Sequence, residues 1–276
     1  MSQDARVIAC EIIAIGNELL IGDVQDTNTY WLIQQLTGLG GFVRRAQIVR
    51  DEFPAIADAL HASLRAKSNL IITTGGLGPT ADDLTLAAVA AALDLPIEEQ
   101  PEAMAMLKRR YAELAATGWV AFAELNEARR KMGMFPRGAL PLFNSVGGAP
   151  GALLRVNTST IVCLPGVPPE LVDIFTHSLA PHLREMFGDA AFVIRSLIVN
   201  CQDESALAEQ LQEVVTRHPR VYIKSRAKRF GPDVRIGITL SASAPSEEAA
   251  NQLVNAAQSD IEEMLKGLGF GWEVAG

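Results

Sequence analysis

Hydrophobic and polar positions along this chain change period from block to block, and the blocks read as alternating strands and helices. Val7 to Ile15 is apolar apart from Glu11, the mark of a buried strand. Gly16 to Gly22 turns the chain, and Asp26-Thr-Asn28 opens a helix to about Thr37, with Asp26 or Thr27 as N-cap. Gly38, Gly40 and Gly41 end it. Phe42 to Val49 predicts a second strand, and Pro54 to Lys67 an amphipathic helix with proline in its first turn. Asn69 to Thr74 is a third strand. A helix is expected from Ala81 to about Leu93, with Thr80 as N-cap and Asp83 three residues on in a capping pattern. This β-α-β-α-β-α order implies a parallel sheet covered by helices.

Further on, Glu102 to Ala116 and Ala121 to Met132 read as helices. Ala152 to Val156 and Thr160 to Leu164 read as a hairpin around Asn157-Thr158, followed by a helix from Glu170 to about Phe187. Near Gly188 the pattern changes. Strands at Phe192 to Asn200, Val221 to Ser225 and Val234 to Ala242, with helices at Glu204 to Arg217 and Ser246 to Leu268, make a small α+β unit. Its β-α-β-β-α order resembles a KH or half-ferredoxin layout, without a G-x-x-G clamp. The expected division is residues 1–188 and 189–276.

The chemistry concentrates between Asn69 and Thr85. Gly75, Gly76 and Gly78 with Pro79 break the third strand just before the expected helix. A strand, a glycine loop and a helix start make an anion site, because glycines let backbone amides turn toward a ligand. Neither a Walker loop nor a G-x-G-x-x-G fingerprint is present. Asp82 and Asp83 would repel a phosphate unless a divalent cation bridged them to it. Alternatively, they favour a helix start, worth ~0.3–1 kcal/mol each. Ligands of parallel sheets bind at the carboxyl ends of strands, so Glu18 and Asp26, after the first strand, can converge with Asp82 and Asp83.

Composition narrows the classes. The 276 residues carry a net charge of −8, which argues against a mainly nucleic-acid-binding surface. The basic stripe Arg217, Arg220, Lys224, Arg226, Lys228 and Arg229 reads first as a solvated hairpin, with RNA binding as its alternative. Arg129, Arg130 and Lys131 read as a dipole-favoured helix end, or as a phosphate contact. No signal pattern and no run of membrane-spanning length is present, which suggests a cytoplasmic protein without a membrane partner. Cys10, Cys163 and Cys201 lie far apart in apolar surroundings, as reduced thiols do. The histidines lack metal-ligand spacing, so any metal is hard and oxygen-bound.

Five motifs in order resemble the competence/damage-inducible protein A (CinA) family, in its N-terminal molybdopterin-binding-like domain. They are Ile15-Gly-Asn-Glu-Leu-Leu-Ile-Gly22, Asp26-Thr-Asn28, Thr74-Gly-Gly-Leu-Gly-Pro-Thr-Ala-Asp-Asp83, Asn144-x-x-Gly-x-Ala-Pro-Gly151 and Leu164-Pro-Gly-Val-Pro-Pro-Glu170. The resemblance implies a Rossmann-like three-layer α/β/α domain followed by the small α+β domain. Leu77, where molybdopterin-specific relatives carry threonine, favours the CinA-like branch. Glu204-Ser205 matches the family's small domain, whereas Asn200 to Asp203 and Lys224-Ser-Arg-Ala227 depart from it. The resemblance further implies metal-dependent cleavage of a nucleotide pyrophosphate such as ADP-ribose, to AMP and ribose 5-phosphate, and a homodimer. A C-terminal deamidase domain found in longer members is not expected here.

On that reading Asp82, Asp83 and Glu18 are the candidate catalytic acids, and Asp26, Asp82 and Asp83 the metal ligands. The ion would be Mg, Mn or Co, with a monovalent cation as an optional companion. Gly16, Asn28, Thr74, Gly75, Gly76, Gly78, Thr80, Asn144, Gly148, Gly151, Pro165 and Gly166 would bind substrate or phosphate. The rival reading is a module that binds a pterin or nucleotide without turnover, linked to molybdenum cofactor handling.

Overall fold

The computed structural model describes residues 8–201, 203–227 and 235–275. Its first strand, β1 (Ala9–Ile15), is buried at all seven positions. A strand with no wet face needs cover on both sides of its sheet. The chain provides it by alternation through α1 (Asn17–Leu20), α2 (Thr27–Gly38), β2 (Phe42–Val49), α3 (Phe53–Arg65), β3 (Leu70–Thr74) and α4 (Thr85–Ala92). An excursion follows: β4 (Ile97–Glu99), α5 (Pro101–Ala116), α6 (Glu127–Lys131), β5 (Met134–Pro136) and β6 (Leu140–Leu142). The hairpin β7 (Gly151–Val156) and β8 (Ser159–Leu164) turns at Asn157, which adopts a φ of 52°, a region asparagine tolerates well. A helical stretch made of α7 (Pro168–Asp173), a π-helical turn (Ile174–Leu179) and α8 (Ala180–Phe187) comes next.

The sheet order is β2-β1-β3-β8-β7-β6. β2, β1, β3 and β8 are parallel, and β7 and β6 add antiparallel strands at one edge. Ile13, Ile15 and Ile71 pack with Ile56 and Leu60 of α3, Val89 of α4 and Leu107 of α5 in one core. Glu11 is buried among them, held by Arg45 at 2.5 Å, Ser63 at 2.7 Å and Ser68 at 2.9 Å.

The chain separates into two compact units, dividing between Met186 and Phe187; the short segment Thr37–Gly41 groups with the second. The second unit contains β9 (Ala191–Val199), α9 (Ser205–Arg217), β10 (Tyr222–Ala227), β11 (Ile236–Ala244), α10 (Glu247–Gly267) and β12 (Trp272–Ala275). Its antiparallel sheet has the order β10-β11-β9-β12. Leu197, Leu207, Leu211, Ile238, Val254 and Ile261 form its core.

Three boundaries differ from the sequence reading. The helix after β3 begins at Thr85, not Ala81. The helix expected from Ala121 shrinks to α6, whose start is capped by Asn126, its Oδ1 accepting from the Arg129 amide at 3.0 Å. The carbonyls of Phe122 and Glu124 accept from the Arg129 guanidinium instead of entering a helical ladder. β12 adds an edge strand beyond the expected last helix. Of the basic stripe, Arg217 pairs with Asp260 at 2.7 Å, and Lys228 and Arg229 lie outside the described residues.

Candidate functional site

Strand order reverses between β1 and β3: the chain goes from β1 outward to β2, then returns to β3 on the other side. Loops leaving the carboxyl ends of β1 and β3 separate there and open a crevice. The backbones come close at its floor. Gly75 has a φ of 108°, and a Cβ on it would lie 2.1 Å from the Ile15 carbonyl oxygen, so only glycine fits. Its amide donates to the Leu164 carbonyl at 3.0 Å, which brings in the loop after β8.

The start of α4 is tied back to this floor. The Thr85 amide donates to the Gly76 carbonyl at 3.1 Å, and the Thr85 hydroxyl to the Gly75 carbonyl at 2.8 Å. Thr85 is fully buried. The helix therefore starts at a buried residue on the floor, beyond the Thr80 N-cap that the capping pattern suggested. Residues 79–84 form a separate turn. In it Asp83 Oδ2 accepts from the Thr80 amide at 2.8 Å, while the Thr80 hydroxyl lies 2.5 Å from Asp82 Oδ1 and 2.7 Å from Asp83 Oδ2. One hydroxyl proton serves one carboxylate at a time. Lys131 of α6 donates to the Thr80 carbonyl and fastens the turn from outside.

Above the floor is a cleft of about 540 Å³. Gly75, Gly76, Leu77, Gly78 and Pro79 line one wall, Gly148 and Ala149 a second, and Pro165 to Pro168 a third. The amides of Gly76, Leu77 and Gly78 donate to no described residue. Glu18, Asp51, Asp82, Asp83 and Glu170 bring five carboxyl groups to the cleft, and no lysine, arginine or histidine is among the described residues that line it. A second groove of about 200 Å³, around Leu70, Leu153 and Leu183 with Arg155, His182 and Glu185 also lining it, lies toward the amino end of β3, away from the glycine loop.

The structure sorts the sequence candidates. Glu18, Gly75, Gly76, Gly78, Asp82, Asp83, Gly148, Pro165 and Gly166 line the cleft. Asp26, Asn28 and Thr74 line an adjoining pocket of about 100 Å³ that shares Glu18, Gly166 and Pro168 with it. Asp26 caps α2 through the Thr29 amide at 2.9 Å. Asn28 donates to Thr74 at 3.1 Å and to the Gly166 carbonyl at 2.7 Å, and Thr74 donates to the Pro165 carbonyl, so these two tie loops together.

Four candidates stand apart from the cleft's lining. Asn144 is buried and fully engaged: it donates to Ala149 and Glu170 and accepts from the Val146 and Gly147 amides. It shapes the loop and has no hydrogen-bonding capacity left for a ligand. Gly151 is buried in β7 against the Cys163 carbonyl. Thr80 faces the acids of its own turn. Gly16 lies beneath the Glu18 carboxylate, 2.4 Å from Oε1 to where a Cβ would be.

Asp51, Tyr111 and Glu170 are lining residues that the sequence reading passed over as site residues. Asp51 lies two residues beyond the end of β2, so the carboxyl-end rule pointed to it; it accepts from the Asn17 amide at 2.6 Å. Glu170 closes the last of the five motifs. Burial pushes its carboxyl above the usual range, against the pull of the Asn144 hydrogen bond and the Arg110 charge. Asp82 is exposed, and the Thr80 hydroxyl, its own backbone amide and the Lys131 charge hold it below that range.

No three His, Cys, Asp or Glu side chains among the described residues form a metal-binding group. Asp26 stays in the adjoining pocket, and only Asp82 and Asp83 come together from the expected ligand set. The donors fit a hard cation completed by ligand phosphate oxygens and water, and do not fit a cage supplied by the protein alone. No helix among the described residues is long and apolar enough to cross a membrane.

Residues 11–185 match the family model described as a probable molybdopterin binding domain. A protein of Pyrobaculum calidifontis is 40% identical over 256 residues, 92% of this chain and 95% of its own length. A protein of Aeropyrum pernix is 40% identical over 245 residues, 88% of each chain. The crystal structure of a protein CinA of unknown function from Thermoplasma acidophilum is similar with a TM-score of 0.58 and 32% identity. That likeness covers 64% of this chain and 98% of that one.

Proposed function

This chain belongs to the probable molybdopterin-binding domain family in its CinA-like form, and on that premise we propose that its cleft binds a phosphorylated pterin or nucleotide together with a divalent cation. One observation carries the reading: the amides of Gly76, Leu77 and Gly78, which donate to no described residue, share a cleft with five carboxyl groups and no basic side chain among the described lining residues. The amides suit phosphate oxygens. The acids would repel the same phosphate unless a cation lies between them. Asp82 and Asp83 would hold that cation, which supplies positive charge that none of the described residues lining the cleft provides. Gly75 keeps the floor tight, and Asn144 holds the second wall in place.

Isothermal titration with a pterin phosphate and with ADP-ribose, in Mg²⁺ and in EDTA, tests the reading. Binding is expected to weaken about tenfold or more in EDTA, a change of ~1.4 kcal/mol or more. Asp83→Ala is expected to remove most of that difference. Binding equal in both buffers would refute the shared cation.

The acids also favour a second reading, cleavage of a nucleotide pyrophosphate. Water would attack one phosphorus, the bridging P–O bond would break with its electron pair leaving on the departing phosphate oxygen, and a cleft carboxyl group such as Glu18 would take the water's proton while Asp82 helps hold the cation. AMP release from ADP-ribose, abolished in Asp82→Ala, would put this reading first. Binding without AMP release leaves the chain a binding module.

A further inference from the structure

A phosphate site by itself accepts any phosphorylated compound, so the ring must be selected elsewhere in the cleft. Two of the five carboxyl groups, Asp82 and Asp83, are those proposed to hold the cation, and the Glu18 carboxylate lies over Gly16 in the loop after β1. Asp51 already accepts from the Asn17 amide. Glu170 differs from these in being held within a loop that is itself pinned by further hydrogen bonds.

Its carboxylate lies directly over Gly147, where a Cβ would be 1.9 Å from Oε2. Asn144 donates to Oε2 at 2.6 Å, and Asn144 is itself fixed by three further hydrogen bonds within the same loop. Arg110 pins that loop by donating to the Gly147 carbonyl at 2.9 Å and the Val146 carbonyl at 2.6 Å. Oε1 accepts from no described residue, and the side chain lines the cleft. Glu170 is thus a rigidly held, half-buried acceptor short of donors. Such a group is costly until donors reach it.

We infer that Glu170 selects the ligand's ring by accepting the adjacent ring N–H and exocyclic amino group of a 2-amino-4-oxo heterocycle, the edge shared by pterins and guanine. Two parallel N–H donors match the two oxygens of a carboxylate. Hypoxanthine offers the ring N–H alone. Adenine presents a ring lone pair to the same oxygens. The carboxyl's upward displacement by burial agrees with a shortage of donors in the ligand-free cleft. This inference rests on the reading that the cleft holds a phosphorylated ligand.

The test uses the full chain in Mg²⁺, titrated with 5′-GMP, 5′-IMP, 5′-AMP, ribose 5-phosphate and a pterin carrying a phosphorylated side chain. Wild type is expected to bind GMP about tenfold tighter than IMP and more weakly still to AMP, since a site built for a hydrogen bond rejects the analogue lacking it. Glu170→Gln, which presents an amide N–H₂ where an acceptor is needed, is expected to erase the preference while ribose 5-phosphate binds as before. The pterin arm measured against GMP decides which source of the shared edge is preferred. Retained preference in the variant overturns the inference, as does an equal loss of every ligand, ribose 5-phosphate included, which would mark Glu170 as structural. If wild type binds ribose 5-phosphate without telling the rings apart, only the inference falls. If it binds none of the five, the phosphate reading falls with it.

Discussion

Glu11 occupies a strand with no wet face, and its donors decide whether it can stay ionised there. Burial alone would raise its pKa, but hydrogen bonds from Ser63, Arg45 and Ser68, with the Arg45 charge, outweigh burial and hold it below the ordinary value of 4.5. The sign follows from linkage: a carboxyl whose folded pKa is depressed stabilises the protein above its unfolded pKa, and the gain is lost as pH falls through the folded value. Arg45 is partly exposed whereas Glu11 is 1% exposed, so truncating the arginine leaves the acid with the Ser63 and Ser68 hydroxyls and the more distant Arg44 at 3.9 Å. Arg45→Ala is expected to cost about 1.5 kcal/mol, the lower end for a hydrogen bond to a charged group, because the arginine is 40% exposed and other partners remain. Urea melts at pH 7 and at steps below 4.5 check both points. The deficit of the variant should shrink as the acid protonates, and a deficit independent of pH would mean that the ion pair is not its source. Glu11 itself was visible in the sequence as a lone acid in an apolar run. Its three donors were not, because they come from positions 34 to 57 residues away.

At the level of elements, the junction from β3 to α4 shows how local signals succeed and fail. The run from Leu70 to Thr74 is a strand as its β-branched pattern suggests, and the glycines break it where expected. Thr80 and Asp83 do form half of a capping arrangement, the acid accepting from the Thr80 amide. They close an isolated turn, because the helix start is captured lower down by the Gly75 and Gly76 carbonyls. That capture depends on β1 lying against Gly75, a tertiary contact that no local pattern encodes. Three-residue strands such as β4 and β5 escaped notice for a similar reason: they are held by pairing with each other across more than thirty residues. Thr85→Val tests the capture, since it keeps the side-chain shape while leaving the Gly75 carbonyl without the hydroxyl. A loss of about 1 kcal/mol is expected, read by denaturant melting, together with weaker binding of ADP-ribose. Unchanged stability would show that the hydroxyl does not hold the helix start.

On the scale of the whole chain, the alternation of strands and helices revealed a parallel sheet but not its order. Placing β8 beside β3 takes an excursion from Leu93 to Pro150 and a hairpin, and it is this placement that brings Pro165 and Gly166 to the crevice beside Gly75. The sequence candidates were therefore found as separate motifs, and which of them share a wall became visible only with the sheet assembled: Gly148 does, Gly151 three residues on does not. A cleft built this way makes a prediction about distant segments at once. Binding ADP-ribose in Mg²⁺ should slow amide hydrogen exchange in 75–84, 144–149 and 164–170 together, since each contributes a wall. The buried amides of β1 serve as a reference already slow without ligand. The amides of Gly76, Leu77 and Gly78 should show the largest change, because they have no partner to lose and a phosphate to gain. Protection confined to a single segment would mean that the walls do not act on one ligand. Protection that spares 75–84 would move the phosphate away from the glycine loop and remove the reason for placing a cation on Asp82 and Asp83.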